Sequence, residues 1–368
     1  MNLLAKSLVV LSAMIFSSGP QAARAAEKSD TPFLPETVWA APGIECNIYF
    51  NNLALPHPEA LFWDVSCEKG RQMQGCWIWT PEPADAGILP LELVGFDSED
   101  QKAAQGKTAI RVANAKAGAG QHIRALVIGD SLTASGLYTQ ELLKRFEGPD
   151  QPVLTLLGTR GEGSNRHEGY PGWTWRRFLS PAPANGTPSP FLFEGKPDFS
   201  EYLRTHCEGT PPEFILIFLG TNDVFGLTDA NRTATIDKVL ADAERMLGVI
   251  RSGAGTSKIG LVLPLPPASQ DAFGTNYGNG ETRRNYYQSV KQYIAAMQHR
   301  FGGREKDGVY IVPAYLGFDS EQGYPTKQQP VHARSDRTIL RQVNALHPDI
   351  PGYRQVADAI YAWMKNML

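Results

Sequence analysis

Five short apolar runs, at residues 125–128, 153–157, 214–219, 259–263 and 309–312, constrain the fold of this chain more than any other feature. Each is of strand length and too short for a helix that would bury itself. Helical patterns lie between and after them. Residues 233–251 place Ile236, Val239, Leu240, Ala243, Leu247 and Ile250 on one face, and Gly253 ends the helix. A second helix is predicted over 285–300. A last one begins near Pro351 and aligns Tyr353, Val356, Ala357, Ile360 and Met364. Strands alternating with helices imply a parallel sheet covered on both faces.

The chain upstream has a different texture. Residues 37–113 carry short β-prone stretches, among them Cys46-Asn-Ile-Tyr, Ala60 to Val65, Cys76-Trp-Ile-Trp, Leu91 to Val94 and Ala109 to Val112. Turn signals such as Gly43 and Pro81-Glu-Pro separate them, so the region predicts a small all-β sandwich domain. Residues 113–121, with an Ala-Gly-Ala-Gly run, read as a flexible linker. The resulting organisation is a β-sandwich module over 37–113 and an α/β domain over 123–368.

Residues 1–25 read as a signal peptide. Lys6 is followed by an apolar run too short to span a bilayer, then by Ala23-Arg-Ala at a cleavage position. The expectation is a secreted or periplasmic protein with no membrane span after signal removal. Thirty-five basic residues against 38 acidic ones give a net charge of −3, with no cluster of Lys and Arg of the kind that binds nucleic acid. Of the four cysteines, Cys67 and Cys76 flank a turn-like Glu68-Lys-Gly and are expected to pair across adjacent strands; Cys46 and Cys207 read as buried free thiols. No Cys-x-x-Cys is present, so no structural zinc is expected.

Four segments carry chemistry. Gly129-Asp-Ser131 follows the first apolar run, which puts a serine hydroxyl at the carboxyl edge of the sheet, where open α/β sheets hold ligands. His167-Glu-Gly-Tyr-Pro-Gly-Trp173 lies in a long Gly-, Pro- and Trp-rich loop. Gly220-Thr-Asn-Asp223 closes the 214–219 strand. Asn344-Ala-Leu-His347 precedes the last helix. Acyl transfer requires a nucleophile, a base and donors for an oxyanion. Ser131 and His347 supply the first two. The backbone N–H groups of Ser131 and Gly172 and the Asn222 amide supply the donors. Tyr170 and Trp173 are candidates for stacking against a sugar, with ordinary loop packing as the alternative. His167-Glu168 lacks the second histidine of a zinc-protease helix, Gly129-Asp-Ser lacks the spacing of an α/β-hydrolase elbow, and Gly161-Glu-Gly lacks the third glycine of a dinucleotide loop.

In this order the four segments resemble the SGNH, or GDSL, hydrolase family, whose Ser, Gly, Asn and His fall on Ser131, Gly172, Asn222 and His347; Gly169 is the alternative glycine. The resemblance covers residue 123 to the C-terminus. It implies a flavodoxin-like three-layer α/β sandwich with a parallel sheet, a serine esterase mechanism and no metal or organic cofactor. The His-Glu-Gly-Tyr-Pro-Gly-Trp string resembles carbohydrate-esterase branches. The implied substrate is an acylated small molecule or polysaccharide, with an acetyl ester on a carbohydrate as the first expectation. A lipolytic esterase or thioesterase, or a non-catalytic carbohydrate-binding surface protein, are the alternatives. One departure stands out: the family's Asp three residues before the histidine is Asn344 here. Asn344 is expected to orient His347 without supplying charge, with a backbone oxygen as the alternative and Asp349 directed elsewhere by Pro348 and the helix start.

Overall fold

A computed structural model describes residues 33–182, 186–270 and 272–368. The segment read as a signal peptide lies outside the described residues. The five apolar runs form parallel strands: His122–Gly129, Val153–Leu157, Phe214–Phe218, Lys258–Val262 and Val309–Val312. Numbered along the chain, they lie side by side in the order 2-1-3-4-5. The order reverses between the first and third strands. All five residues of Phe214–Phe218 are buried, as both-face coverage demands of a central parallel strand. The helices Arg232–Gly253, Arg283–Phe301 and Ile350–Met367 match the three apolar periodicities within a few residues.

A short strand not legible in the sequence, Asn165–Gly169, joins the same sheet. It pairs in parallel with the carboxyl end of His122–Gly129 through Glu168 opposite Ile128 and Gly169 opposite Gly129. The long Gly- and Pro-rich loop is therefore anchored beside the serine. Gly169 is required there by space, since a Cβ would come within 2.5 Å of the Ala134 backbone nitrogen.

The N-terminal strands form two sheets. Four strands lie in the order Thr37–Ala40, Lys102–Val112, Gly87–Phe96, Phe62–Ser66, with the first pair parallel and the others antiparallel. Cys46–Tyr49, Cys76–Trp79 and Arg71–Gln72 make a three-stranded antiparallel sheet. Its Gln72 side chain bonds to the Val65 N–H and the Trp63 carbonyl of the other sheet. All residues described from Phe33 onward belong to one compact unit. The Trp39 indole donates to the Ile311 carbonyl at 2.8 Å, and the Asn52 amide to the carbonyls of Tyr315 and Phe318, each at 2.7 Å. The segment read as a flexible linker is a run of turns, with the Lys365 ammonium on the Ala117 carbonyl at 2.6 Å.

The expected Cys67–Cys76 bridge is corrected by the structure: all four cysteines are free. Cys67 follows a strand of the four-stranded sheet and Cys76 opens a strand of the other, so the two are not neighbours on one ladder. No helix among the described residues is long and apolar enough to cross a membrane.

Candidate active site

Ser131 is set by the end of its strand. Beyond Gly129 the chain turns at Asp130, which caps the four-residue helix Ser131–Ala134 by accepting from the Leu132 N–H at 2.9 Å. The Ser131 N–H, at the first helical position, has no acceptor among the described residues. The Ser131 Oγ lies 2.9 Å from the His347 Nε2. These residues are 216 positions apart in the chain, so the contact is a product of the fold and not of local sequence. Burial pulls the His347 pKa below the usual imidazole value. The ring is thus neutral near pH 7, and its Nε2 can accept the serine proton.

The loop bearing His347 is held by side chains rather than by regular structure. The Asn344 Oδ1 accepts from the Leu346 N–H at 3.1 Å and the His347 N–H at 2.9 Å, an Asx turn. Asn276 accepts from the Ala345 N–H at 2.8 Å. Asp349 accepts from the Gly352 N–H at 2.9 Å and so caps the last helix. The expectation that Asn344 bonds the imidazole is therefore corrected: its carbonyl oxygen fixes the backbone of the histidine, and Asp349 is committed to its helix.

Asn222 follows the third strand, on the other side of the point where strand order reverses. That crevice is where doubly wound sheets place ligands. The Asn222 Nδ2 donates to the Asp130 Oδ2 and to the Trp173 carbonyl, each at 3.1 Å. One amide thus ties the serine turn to the Tyr170–Trp173 loop. Both acceptors fix the orientation of the amide. Gly172, exposed at φ +77°, adopts a backbone conformation that favours glycine. Its N–H has no acceptor among the described residues, whereas the Gly169 N–H is taken by the His167 Nδ1 at 3.1 Å.

Two carboxyls flank this assembly. Asp130 is fully buried, and burial pushes its pKa up to about 7 against the Leu132 N–H that lowers it. Asp223 is likewise pushed up to about 7 by burial; its Oδ1 accepts from the Trp175 N–H at 3.2 Å, and its Oδ2 has no partner among the described residues.

The sugar-stacking roles expected of Tyr170 and Trp173 are not supported by their surroundings. Both are buried, at 5% and 4% exposure, and stack on each other with centroids 4.1 Å apart. The Arg160 guanidinium lies 4.7 Å from the Tyr170 ring, and Phe178 meets the Trp173 ring edge-on. The rings are loop core, the alternative weighed from the sequence.

Sequence reasoning missed Glu168. It is completely buried and accepts from the Thr159 N–H at 2.6 Å, the Thr159 hydroxyl at 3.0 Å, and the Tyr170 and Tyr202 hydroxyls at 2.8 Å each. These four bonds lock the strand beside Ser131 to the loop carrying Gly172. The donors stand up to 34 residues away, so no local pattern announces them.

Comparison with known proteins places the chain in a family. A search of curated proteins finds no match. Solved structures with loose similarity include a family 3 carbohydrate esterase from Clostridium thermocellum, 17% identical over 66% of this chain and 94% of that one, with a TM-score of 0.42. A carbohydrate acetylesterase from Sinorhizobium meliloti is 15% identical over 67% of this chain and 100% of its own, with a TM-score of 0.39. An inhibitor-bound aryl esterase from M. smegmatis gives 15%, 67%, 100% and 0.37. At these scores the individual likenesses carry no weight, and the assignment rests on the family model. That model, GDSL-like lipase/acylhydrolase, matches residues 126–360, a span that begins in the strand before Ser131 and ends beyond His347, and the chain belongs to this family of ester-hydrolysing enzymes.

Proposed function

We propose that the protein is an exported serine esterase that removes an acyl group, an acetyl group above all, from a carbohydrate. The observation that carries the catalytic part is the 2.9 Å approach of the Ser131 Oγ to the His347 Nε2. In the proposed reaction the Ser131 oxygen attacks the ester carbonyl carbon while its proton passes to the His347 Nε2. The carbonyl π pair moves onto oxygen, and this oxyanion is held by the N–H groups of Ser131 and Gly172 and by the Asn222 amide. To reach it, the amide exchanges its bond to the Trp173 carbonyl for one to the oxyanion. Collapse expels the alcohol, which takes the proton from His347. Water, deprotonated by His347, then attacks the acyl-serine; the acid leaves and Ser131 recovers its proton. The carbohydrate preference is supported by the likeness of the His167–Trp173 string to carbohydrate-esterase sequences, and export by the leader-like composition of residues 1–25.

The test is hydrolysis of short-chain nitrophenyl esters by the purified chain and its Ser131→Ala variant. The expected result is turnover of the acetyl ester, falling with acyl chain length, and a loss of several orders of magnitude on substitution. Equal turnover by Ser131→Ala removes the serine from the mechanism. A rate that rises with chain length replaces deacetylation by lipolysis.

A further inference from the structure

The loop that carries His347 is rooted in a β-hairpin that the α/β architecture does not require. Its strands, Thr326–Pro330 and Thr338–Gln342, pair only with each other. Five residues of strand project the ribbon about 17 Å from its base. The base is fixed to the catalytic loop. Val343 N–H donates to the Pro325 carbonyl at 2.8 Å, Asp349 N–H donates to the Gly323 carbonyl at 3.1 Å, and Asn276 links Val343 to Ala345. The buried Gln342 exchanges hydrogen bonds with Gln270 and donates to the carbonyls of Ser320 and Glu321.

Beyond this root the ribbon is almost entirely exposed and strongly cationic. Residues 326–342 contain Lys327, Arg334, Arg337 and Arg341 against Asp336 alone, in a chain whose net charge is −3. None of the four cations has an ion-pair partner among the described residues. Lys327 stands directly opposite Arg341 in the ladder, and Val331 N–H donates to the Arg337 carbonyl four pairs further out. Cross-strand partners and alternate positions share a face, so Lys327, Arg337 and Arg341 line one side of the ribbon. Like charges placed directly opposite destabilise an isolated hairpin, and this one has no core of its own to offset them.

We infer that the cationic face of this hairpin binds the anionic chain of a carboxylated polysaccharide and delivers its acyl ester to Ser131 and His347. The inference rests on the esterase reading above and extends it to a class of substrate. A polymer with a charge on successive sugars neutralises the Lys327–Arg341 pair and Arg337 together while one of its esters occupies the site. A bilayer is the poorer match, because the exposed Ile339 and Leu340 are consecutive in the strand and so point to opposite faces. The ribbon therefore offers no one-sided apolar surface to insert.

The experiment uses the full chain and three substrates: acetylated polygalacturonate, an acetylated neutral xylan and nitrophenyl acetate. The wild type is expected to favour the acetylated polygalacturonate. Its kcat/KM there falls roughly tenfold between low and physiological salt, while the neutral substrates show little salt dependence. In the Lys327→Gln/Arg337→Gln/Arg341→Gln variant the ratio of kcat/KM for acetylated polygalacturonate to that for nitrophenyl acetate falls at least about tenfold, through KM, and the salt dependence flattens. The charge-keeping Lys327→Arg/Arg337→Lys/Arg341→Lys variant restores both. Binding of unacetylated polygalacturonate to Ser131→Ala, which needs no turnover, reads the hairpin even if the esterase reading fails. An unchanged ratio, a salt-independent rate on polygalacturonate, or no binding by Ser131→Ala overturns the inference. Hairpin-dependent binding to phosphatidylglycerol vesicles without binding to polygalacturonate overturns it in favour of a membrane surface.

Discussion

Replacing Asn344 separates two ways of holding His347, the proposed base. In the structure its Oδ1 accepts from the N–H groups of Leu346 and His347 at 3.1 and 2.9 Å. Asn344→Ala removes the one oxygen that accepts both bonds in a partly buried turn. At roughly 0.5–1.5 kcal/mol for each net bond, the loss of stability is about 1–3 kcal/mol. The same loss frees the backbone of His347, and a displacement near 1 Å at a reacting group costs on the order of a hundredfold in rate. Asn344→Asp keeps an acceptor for both bonds and makes them charge-assisted, so stability holds or rises. The substitution places a negative charge on the turn that carries the ring. It favours the imidazolium and moves the His347 pKa upward from its burial-lowered position. The acid limb of the kcat/KM profile, where His347 gains its proton and stops acting as a base, therefore shifts to higher pH in Asn344→Asp. Urea unfolding and pH–rate profiles of the three forms read these effects. If Asn344→Ala is as stable and as fast as wild type, the Asx turn does not hold His347 and the reasoning fails.

Asn222→Ala is expected to lower kcat by on the order of 3 kcal/mol in barrier with a smaller effect on KM, measured on nitrophenyl acetate; an unaltered kcat means that the amide stays on Trp173 throughout the reaction. Asp130 and Asp223 hold protons more tightly in the folded chain than in the unfolded one, each being raised to about 7 from the usual 3.8. The folded state therefore loses stability as pH rises from about 4 to about 7, and Asp223→Asn flattens this decline in urea titrations across that range. Thiol titration of the denatured, unreduced protein is expected to find four free cysteines, and a count of two restores the pairing that the structure lacks.

The sheet was legible because its strands are buried on both faces and so read as unbroken apolar runs. The run 153–157 and the run 309–312 coincide with their strands residue for residue. Where burial is mixed, the pattern fails. Asn165–Gly169 is a strand with a wholly polar sequence up to its last residue, and it is held in the sheet by pairing to His122–Gly129 and by the bonds to Glu168. The hairpin Thr326–Gln342 was missed for the opposite reason. Exposed on both faces, it has no alternation to detect, and its register is set by its own ladder and by Gln342 at the root.

The candidate site was legible where chemistry restricts the residue type and opaque where only placement matters. A nucleophile, a base and a side-chain amide are few in kind, and their positions after strands one and three or before the last helix follow from the fold. The role of Asn344 is a matter of direction. An Asn three residues before a histidine can bond the ring or close an Asx turn on the backbone, and both uses require the same letter at the same spacing. The structure decides for the turn because the backbone N–H groups of Leu346 and His347 converge on one oxygen. The same distinction governs Tyr170 and Trp173. Their sequence suits a sugar platform equally well, but the strand Asn165–Gly169 draws the loop inward, Glu168 takes the Tyr170 hydroxyl, and the two rings cover each other. On the proposed reading, recognition of a carbohydrate comes from groups that the loop core leaves exposed. On the inference drawn above, the exposed cations of the ribbon, Lys327, Arg337 and Arg341, supply such groups, and they rather than the aromatic loop or the buried root at Gln342 are the place to alter substrate preference without disturbing Ser131 and His347.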